Sequence, residues 1–589
     1  MRTSLLKGTR SLNSFCPGLG FHNGNLLFYL KLICLQVSAP AFSKVLHKGH
    51  WAVATFFGLY LLLGLLIYKD YGISFDEQLS RENGIVNAKY LVEKLAPRVL
   101  EGREFCPRCP PLENYSGAVL GPVFETATVA LEWVLGLEDQ GDIFRLRHLC
   151  TFLLFFTATL FFYFLLQERF RNPLISLAGV LMLILSPRIF ADSFYNPKDL
   201  PFLSLCLIST YTLVRYLKRP GLLTAFWHAL ACALAMDIRI MGILLPAATL
   251  VYVFLHLRYY PKEGISGSKV LVSAFSFLLF FIIFAITFWP HLWEHPFSRF
   301  SEAFLFAGNF TWTGHILYLG EYVNAQHLPW HYLPVWLFIT TPLLYTFLFL
   351  VGIAFIVRQV IASGISLYQT PATRQDLVIA GLFFVPATAA IVLNLVFYDG
   401  WRHFYFLYPW FVYLATVGLS ELLSLISRVK NERQRLLLRN ALAGLWLILI
   451  GKVAFWMVLN HPHQQVYFSI FSSDKVRQQF ELDYWGLSYR EGLEFVVADS
   501  KKEQIRLFVP TISGYVNSFM LPPEQRKRLV YVKSIAEADY FLTEYRWHPQ
   551  DFPLEKEVHQ VKADDFKILS VFKLDRVYKE VPVFNPGLP

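Results

Sequence analysis

Eleven apolar runs constrain this chain more than any other feature. A helix needs about 20 predominantly apolar residues to cross a bilayer. Runs of that kind lie at 51–69, 145–166, 174–190, 200–216, 221–236, 243–257, 270–289, 333–357, 377–397, 405–427 and 441–459. They predict an all-α polytopic membrane protein with about eleven transmembrane helices. Charged residues make up only 16% of the sequence and aromatics 17%, which argues against a water-soluble protein and suits lipid-facing and interfacial surfaces. A further apolar stretch at 25–42, broken by Lys31 and Pro40, reads as membrane-associated or as an extra span.

Basic residues orient the path. Arg2, Lys7, Arg10, Lys44 and Lys48 precede the first run; Arg169 and Arg171 follow the second. Arg215, Lys218 and Arg219 follow the fourth; Arg258, Lys262 and Lys269 the sixth; Arg358 and Arg374 the eighth. Arg428, Lys430, Arg433, Arg435 and Arg439 follow the tenth. All fall on one side of an alternating path, which the positive-inside rule makes cytoplasmic. The net charge of +10 is thereby assigned to membrane orientation, not to nucleic acid.

Three regions follow: a cytoplasmic or interfacial segment 1–50, a membrane domain 51–459 with a long first outer loop at 70–144, and a tail 460–589 on the extracytoplasmic side. The tail changes composition. Gln504–Pro510, Leu529–Val532, Tyr540–Thr543 and Ile568–Leu574 read as short strands, so the tail is expected to form a small α/β domain. Within the first loop, Glu125 and Glu132 share one helical face of an apolar segment, the pattern of an interfacial helix. Cys106 and Cys109 form a single CxxC; a zinc site needs about four ligands, and a local disulfide fits the pair if the loop faces an oxidising compartment.

Ionisable residues crowd the outer side. Asp76 and Glu77 lie just past the first run, where a carboxylate is costly unless paired or working. They are the candidates for a general base, with an ordinary solvated acid pair as the alternative. Arg188 and Lys198, in the connection 186–199, stand against the positive-inside bias and could meet a carboxylate, a phosphate or lipid headgroups. Asp237 and Arg239, between the fifth and sixth runs, could be a structural pair or part of a site. Arg402 and His403 stand at the outer end of another span, and together make a plausible anion site. Trp289–Pro296 and Leu328–Tyr332 fit an interfacial aromatic belt at least as well as a ligand site. A base for an acceptor and cations for a departing phosphate are the parts that sugar transfer from a lipid phosphate requires. No P-loop, Gly-rich dinucleotide turn or HExxH motif is present.

The ordered series Asp76-Glu77, Ser186-Pro187-Arg188…Asn196-Pro197-Lys198-Asp199, Asp237-Ile238-Arg239, Leu328-Pro329-Trp330-His331-Tyr332 and Tyr398-Asp399-Gly400-Trp401-Arg402-His403 resembles the GT-C glycosyltransferases of family 39. That group includes protein O-mannosyltransferases and aminoarabinose transferases. His461-Pro462 and Asp483–Arg490 look like segments of uncharacterised bacterial members. The resemblance implies a GT-C fold, a polyprenyl-phosphate sugar donor, inversion, and Asp76 as base with Glu77 supporting it. Arg188, Lys198, Arg239, Arg402 and His403 are the residues assigned to the donor phosphate. The residues themselves require no metal ligands. The tail does not match the architecture of protein O-mannosyltransferases, so a lipid, glycan or protein acceptor stays open, with membrane lipids around the chain; the resemblance favours the bacterial inner membrane with a periplasmic site. Asn114-Tyr115-Ser116 and Asn309-Phe310-Thr311 fit the N-glycosylation pattern and keep the endoplasmic reticulum open. A transporter or flippase of a lipid-linked substrate is the competing reading, since ionisable residues in membranes also mark transport pathways.

Overall fold

A computed structural model describes residues 50–100, 106–259, 266–309, 312–364, 370–470, 473–546 and 549–574. The stretch 25–42, the basic residues from Arg2 to Lys48, Lys262, and Phe310 and Thr311 of the second glycosylation pattern lie outside them. The chain divides into two units, Met1–Leu59 and Tyr60–Pro589. The described part of the first is the opening of helix His50–Ile67.

Eight helices among the described residues are long and apolar enough to cross a membrane: Gln140–Phe170, Asp199–Lys218, Ile240–Tyr259, Gly267–Phe288, Leu343–Ser363, Pro371–Val392, Arg402–Ser427 and Glu432–Leu459. Two shorter apolar helices, Trp51–Ile67 and Leu222–Ile238, and a bent pair, Pro173–Ile184 with Pro187–Tyr195, account for the other runs. All eleven apolar runs therefore fall on helices.

Two runs are broken where they read as continuous. The run at 174–190 turns by 67°. Pro187 bars its preceding residue from helical geometry, and Ser186 is extended at φ −100°, ψ 102°. Ser186 Oγ then bonds Met182 O and Tyr408 Oη, both at 2.7 Å, which secures the corner. The run at 333–357 splits into Tyr332–Ile339 and Leu343–Ser363 around Pro342, which has no N–H to continue the ladder. The helices Leu343–Ser363 and Arg402–Ser427 cross at backbone distance: a Cβ on Gly352 would stand 2.1 Å from Leu414 O, and one on Gly418 2.0 Å from Leu348 O. Small residues at such crossings let van der Waals packing replace the hydrophobic drive that lipid removes.

The first loop folds onto the spans. Helix Phe75–Leu95 packs against the amphipathic helix Val123–Val134, whose Leu131, Trp133 and Val134 are exposed. Its acidic face is turned inward. Arg147 pairs with Glu125 and, at 3.1 Å, with Glu132, and donates to Thr128 Oγ1 at 2.7 Å; Arg81 adds a second contact to Glu132 at 2.9 Å. Removing one member of a buried ion cluster leaves charge without compensation. Arg147→Met is therefore expected to destabilise the protein by about 3–5 kcal/mol, read as a lowered unfolding midpoint in detergent. A midpoint equal to wild type would mean that these acids do not depend on Arg147. Cys106 and Cys109 form the local disulfide, and Lys89 Nζ donates to both of their carbonyls at 3.2 and 3.1 Å.

The tail carries a five-stranded sheet. Counting from an antiparallel hairpin in an earlier loop, β1 (His315–Tyr318) and β2 (Glu321–Asn324), its strands are β3 (Ile505–Phe508), β4 (Leu529–Tyr531), β5 (Tyr540–Glu544), β6 (Glu557–Ala563) and β7 (Phe566–Lys573). The order is β4-β3-β5-β7-β6, with β3 parallel to β4 and β5, and β7 antiparallel to β5 and β6. All four strands read in the tail sequence are present. β6 escaped that reading because it is an edge strand of mixed polarity, Glu-Val-His-Gln-Val-Lys-Ala. The β1–β2 hairpin escaped it because its turn places Leu319 at φ 54°, a conformation no propensity assigns to leucine.

Candidate functional site

The tail clamps the segment that carries Asp76. Asn517 accepts from Ile73 N at 2.9 Å and donates to Ile73 O at 3.0 Å. Arg490 Nη1 donates to Tyr71 O at 3.0 Å. Ser74 Oγ donates to Tyr195 O at 2.8 Å, tying the segment to the bent span. The helix Phe75–Leu95 then starts, with Asp76 and Glu77 in its first turn, where acids complement the helix dipole.

The two acids part company. Glu77 is buried; its Oε2 accepts the Ser74 backbone N–H at 2.7 Å and its Oε1 lies 3.0 Å from His148 Nε2. It caps the helix and braces the neighbouring span. Asp76 keeps about a quarter of its side chain exposed, 24%, and meets Arg402 Nη1 at 2.9 Å. One residue on a helix separates the directions of the two side chains by roughly 100°, which is enough to give them different neighbours.

Arg402 is the hub. Its Nη1 also lies 3.2 Å from Asp199 Oδ2, and its Nη2 3.1 Å from Asp399 Oδ2. Trp485 and Tyr398 cover its guanidinium, with ring centroids 4.7 and 5.2 Å from Cζ. The array extends both ways: Arg239 pairs with Asp199, and Arg546 with Asp399. Alternating sign is what makes such burial tolerable, because each charge keeps opposite neighbours.

Asp199 is oriented by Asn196, whose Oδ1 accepts Asp199 N at 2.8 Å and whose Nδ2 donates to Asp199 Oδ2 at 3.1 Å. Asp399 sits in a turn where it and Gly400 take φ of 57° and 67°. Asp-Gly is a favoured pair when two consecutive residues must adopt positive φ.

Lys198 stands beside this array. Burial, and then the Arg239 guanidinium, push its ammonium below the ordinary lysine value, with Asp76, Glu125 and Asp199 opposing. Among the described residues its Nζ has no hydrogen bond or ion pair. His403 packs edge-on against Tyr398, ring centroids 4.9 Å apart.

Asp76, Lys198, Arg239 and Arg402 are thus gathered in one place, from four separate parts of the chain. Arg188 makes none of these ion pairs among the described residues: it is buried between Trp336 and Phe468 and donates Nε to Tyr467 O at 3.1 Å. Asp237 and Arg239 are not a pair. Asp237 Oδ1 accepts Val123 N at 2.7 Å, while Arg239 turns to Asp199. Asp199, Asp399 and Arg546 were missed as site residues. The first two stand inside the motifs that drew notice to their basic neighbours; Arg546 carries no sequence signal. Among the described residues no group of three or more His, Cys, Asp or Glu has an arrangement that could hold a metal ion.

Fold and site together define an integral membrane protein of mostly helical architecture, with a C-terminal sheet domain and a buried array of alternating acids and arginines at the helix ends. Residues 140–292, which include Lys198, Asp199 and Arg239, match the family model described as dolichyl-phosphate-mannose-protein mannosyltransferase. Over that stretch the GT-C resemblance read in the sequence is borne out. No curated protein matches the chain. Among solved structures, it is similar to the oligosaccharyltransferase of Archaeoglobus fulgidus in the apo form, at 9% identity over 84% of this chain and 66% of that one, TM-score 0.45. It is also similar to AglB of the same organism in complex with an inhibitory peptide and a dolichol-phosphate, at 10% identity over 84% and 70%, TM-score 0.45. A third is ArnT from Cupriavidus metallidurans bound to undecaprenyl phosphate, at 11% identity over 88% and 98%, TM-score 0.40. The chain spans about two thirds of the length of the archaeal structures.

Proposed function

We propose that this protein is a membrane glycosyltransferase that moves a sugar from a polyprenyl-phosphate donor to a lipid, glycan or protein acceptor on the extracytoplasmic side, with inversion. The observation that carries the reading is the direct Asp76–Arg402 contact, with Lys198 half-buried beside it and, among the described residues, without a hydrogen bond or ion pair to its ammonium. A partly exposed acid next to a buried cation hub supplies both functions the reaction needs. The family model matched by 140–292 is named for a dolichyl-phosphate-linked mannose, which supports a lipid-phosphate donor.

In this mechanism the donor phosphate lies against Arg402 and Lys198, with Arg239 behind them. Asp76 accepts the acceptor's hydroxyl or amine proton as that atom bonds to the anomeric carbon. The bond from that carbon to the phosphate oxygen breaks, its electron pair stays on the phosphate, and the cations stabilise the charge that develops there. Attack opposite the leaving group inverts the anomeric centre.

The test is transfer by the purified protein in lipid nanodiscs, using a panel of polyprenyl-phosphate-linked radiolabelled sugars and membrane extract as acceptor. The expected result is a labelled glycoside together with free polyprenyl phosphate. Movement of intact labelled lipid between leaflets of proteoliposomes, with no glycoside formed, would establish the transporter reading instead.

A further inference from the structure

We propose that Arg546, carried on the C-terminal sheet domain, is a positioning residue for the membrane site: by holding one oxygen of Asp399 it presents the other to Arg402, and so sets where Arg402 meets Asp76. The proposal rests on the transferase reading and extends it to a part of the chain that contributes no group to the chemistry.

The geometry is a relay of shared carboxylates. Arg546 lies two residues past the end of β5, and its Nη2 takes Asp399 Oδ1, while its Nη1 donates to Tyr484 O at 3.1 Å. That second bond fixes the guanidinium plane, and a planar fork held at two points has little freedom left. Among the described residues, Asp399 Oδ2 is thereby left to Arg402 Nη2, at 3.1 Å. Arg402 Nη1 remains for Asp76 at 2.9 Å and Asp199 at 3.2 Å.

Without Arg546, the buried Asp399 carboxylate keeps one cation for two oxygens. The favoured arrangement of an arginine and a lone carboxylate is bidentate. Asp399 is then expected to turn and take both Nη atoms of Arg402, drawing Nη1 away from Asp76.

The surroundings of Arg546 direct its charge to Asp399. The other acids that face it are Glu481 and Glu544, both buried. Burial pushes the Glu481 carboxyl up to about 8, Arg546 opposing and Asp399 adding to the rise. Burial and then Asp483 push Glu544 up to about 7, again with Arg546 opposing. Burial thus shifts both carboxyls toward the neutral form. Asp399 forms an ion pair with Arg546. The same tail supplies Trp485, which covers the Arg402 guanidinium.

The experiment measures binding of undecaprenyl phosphate and dolichyl phosphate to the purified full-length protein, for wild type, Arg546→Met, Arg546→Lys, Asp399→Asn and the double variant Arg546→Met/Asp399→Asn. Arg546→Met is expected to weaken binding about 10–100-fold, the scale on which small misplacement of a working group is felt. Arg546→Lys restores part of it, because a lysine reaches Asp399 but cannot also fix its plane on Tyr484 O. The double variant binds no more weakly than Asp399→Asn alone, because the two residues act through one contact. Unchanged binding by Arg546→Met, or losses that multiply in the double variant, overturns the positioning role and leaves the transferase reading standing. If Arg546→Met does not accumulate as folded protein, the cycle is run with Arg546→Lys and judged by the same criterion. Wild-type protein that binds neither lipid phosphate overturns the transferase reading and this proposal with it.

Discussion

Asp76→Asn is expected to fold, to bind polyprenyl phosphate at least as tightly as wild type, and to transfer sugar about 10²–10⁴-fold more slowly, the range that loss of a positioned general base produces. Asparagine matches aspartate in volume and keeps an oxygen for Arg402 Nη1, now 2.9 Å from the carboxylate. The array around it is therefore preserved. What disappears is the ability to accept a proton and one negative charge. Removing that charge leaves Arg402 less fully neutralised by Asp199 and Asp399, so an incoming phosphate gains rather than loses attraction. Rate and affinity should thus separate, which a general folding defect does not produce. The measurement is labelled-product formation at saturating donor, beside equilibrium binding of the product lipid. Transfer within a few-fold of wild type would remove Asp76 from the role of base.

Arg402 carries the second large effect. It is 3% exposed and is the cation common to Asp76, Asp199 and Asp399. Arg402→Met puts an apolar side chain amid three carboxylates, and breaking a buried ion cluster from one side costs about 3–5 kcal/mol. A lowered unfolding midpoint and loss of lipid-phosphate binding are both expected. Because stability alone could cause the second, Arg402→Lys is the decisive variant. Lysine keeps the charge yet offers a point in place of a planar fork, so it cannot serve three acids and a phosphate together. It is expected to fold, with donor affinity reduced roughly tenfold or more. Wild-type affinity in Arg402→Lys would mean that the phosphate is held elsewhere.

The apolar runs and the strands β3, β4, β5 and β7 were legible without coordinates. Each is a local property: a bilayer demands a continuous apolar length, and a strand of branched and aromatic residues declares itself over a few positions. Asp76, Lys198, Arg239 and Arg402 were legible for a related reason, since charge beside apolar sequence is expensive wherever it occurs.

What tertiary structure alone decided is which charge meets which. Asp76 finds its partner 326 residues away. Arg188 has the same chemistry, yet it is enclosed by Trp336 and Phe468 and, among the described residues, joins none of the array's ion pairs. Glu77, adjacent to Asp76, is spent on a helix cap and His148. Arg546, two residues past β5, reaches the site because the folded tail brings its side chain to Asp399. The Coulomb attraction between two ions depends on their separation and burial, and both are set by how the helices and the sheet pack, not by the letters on either side of a residue.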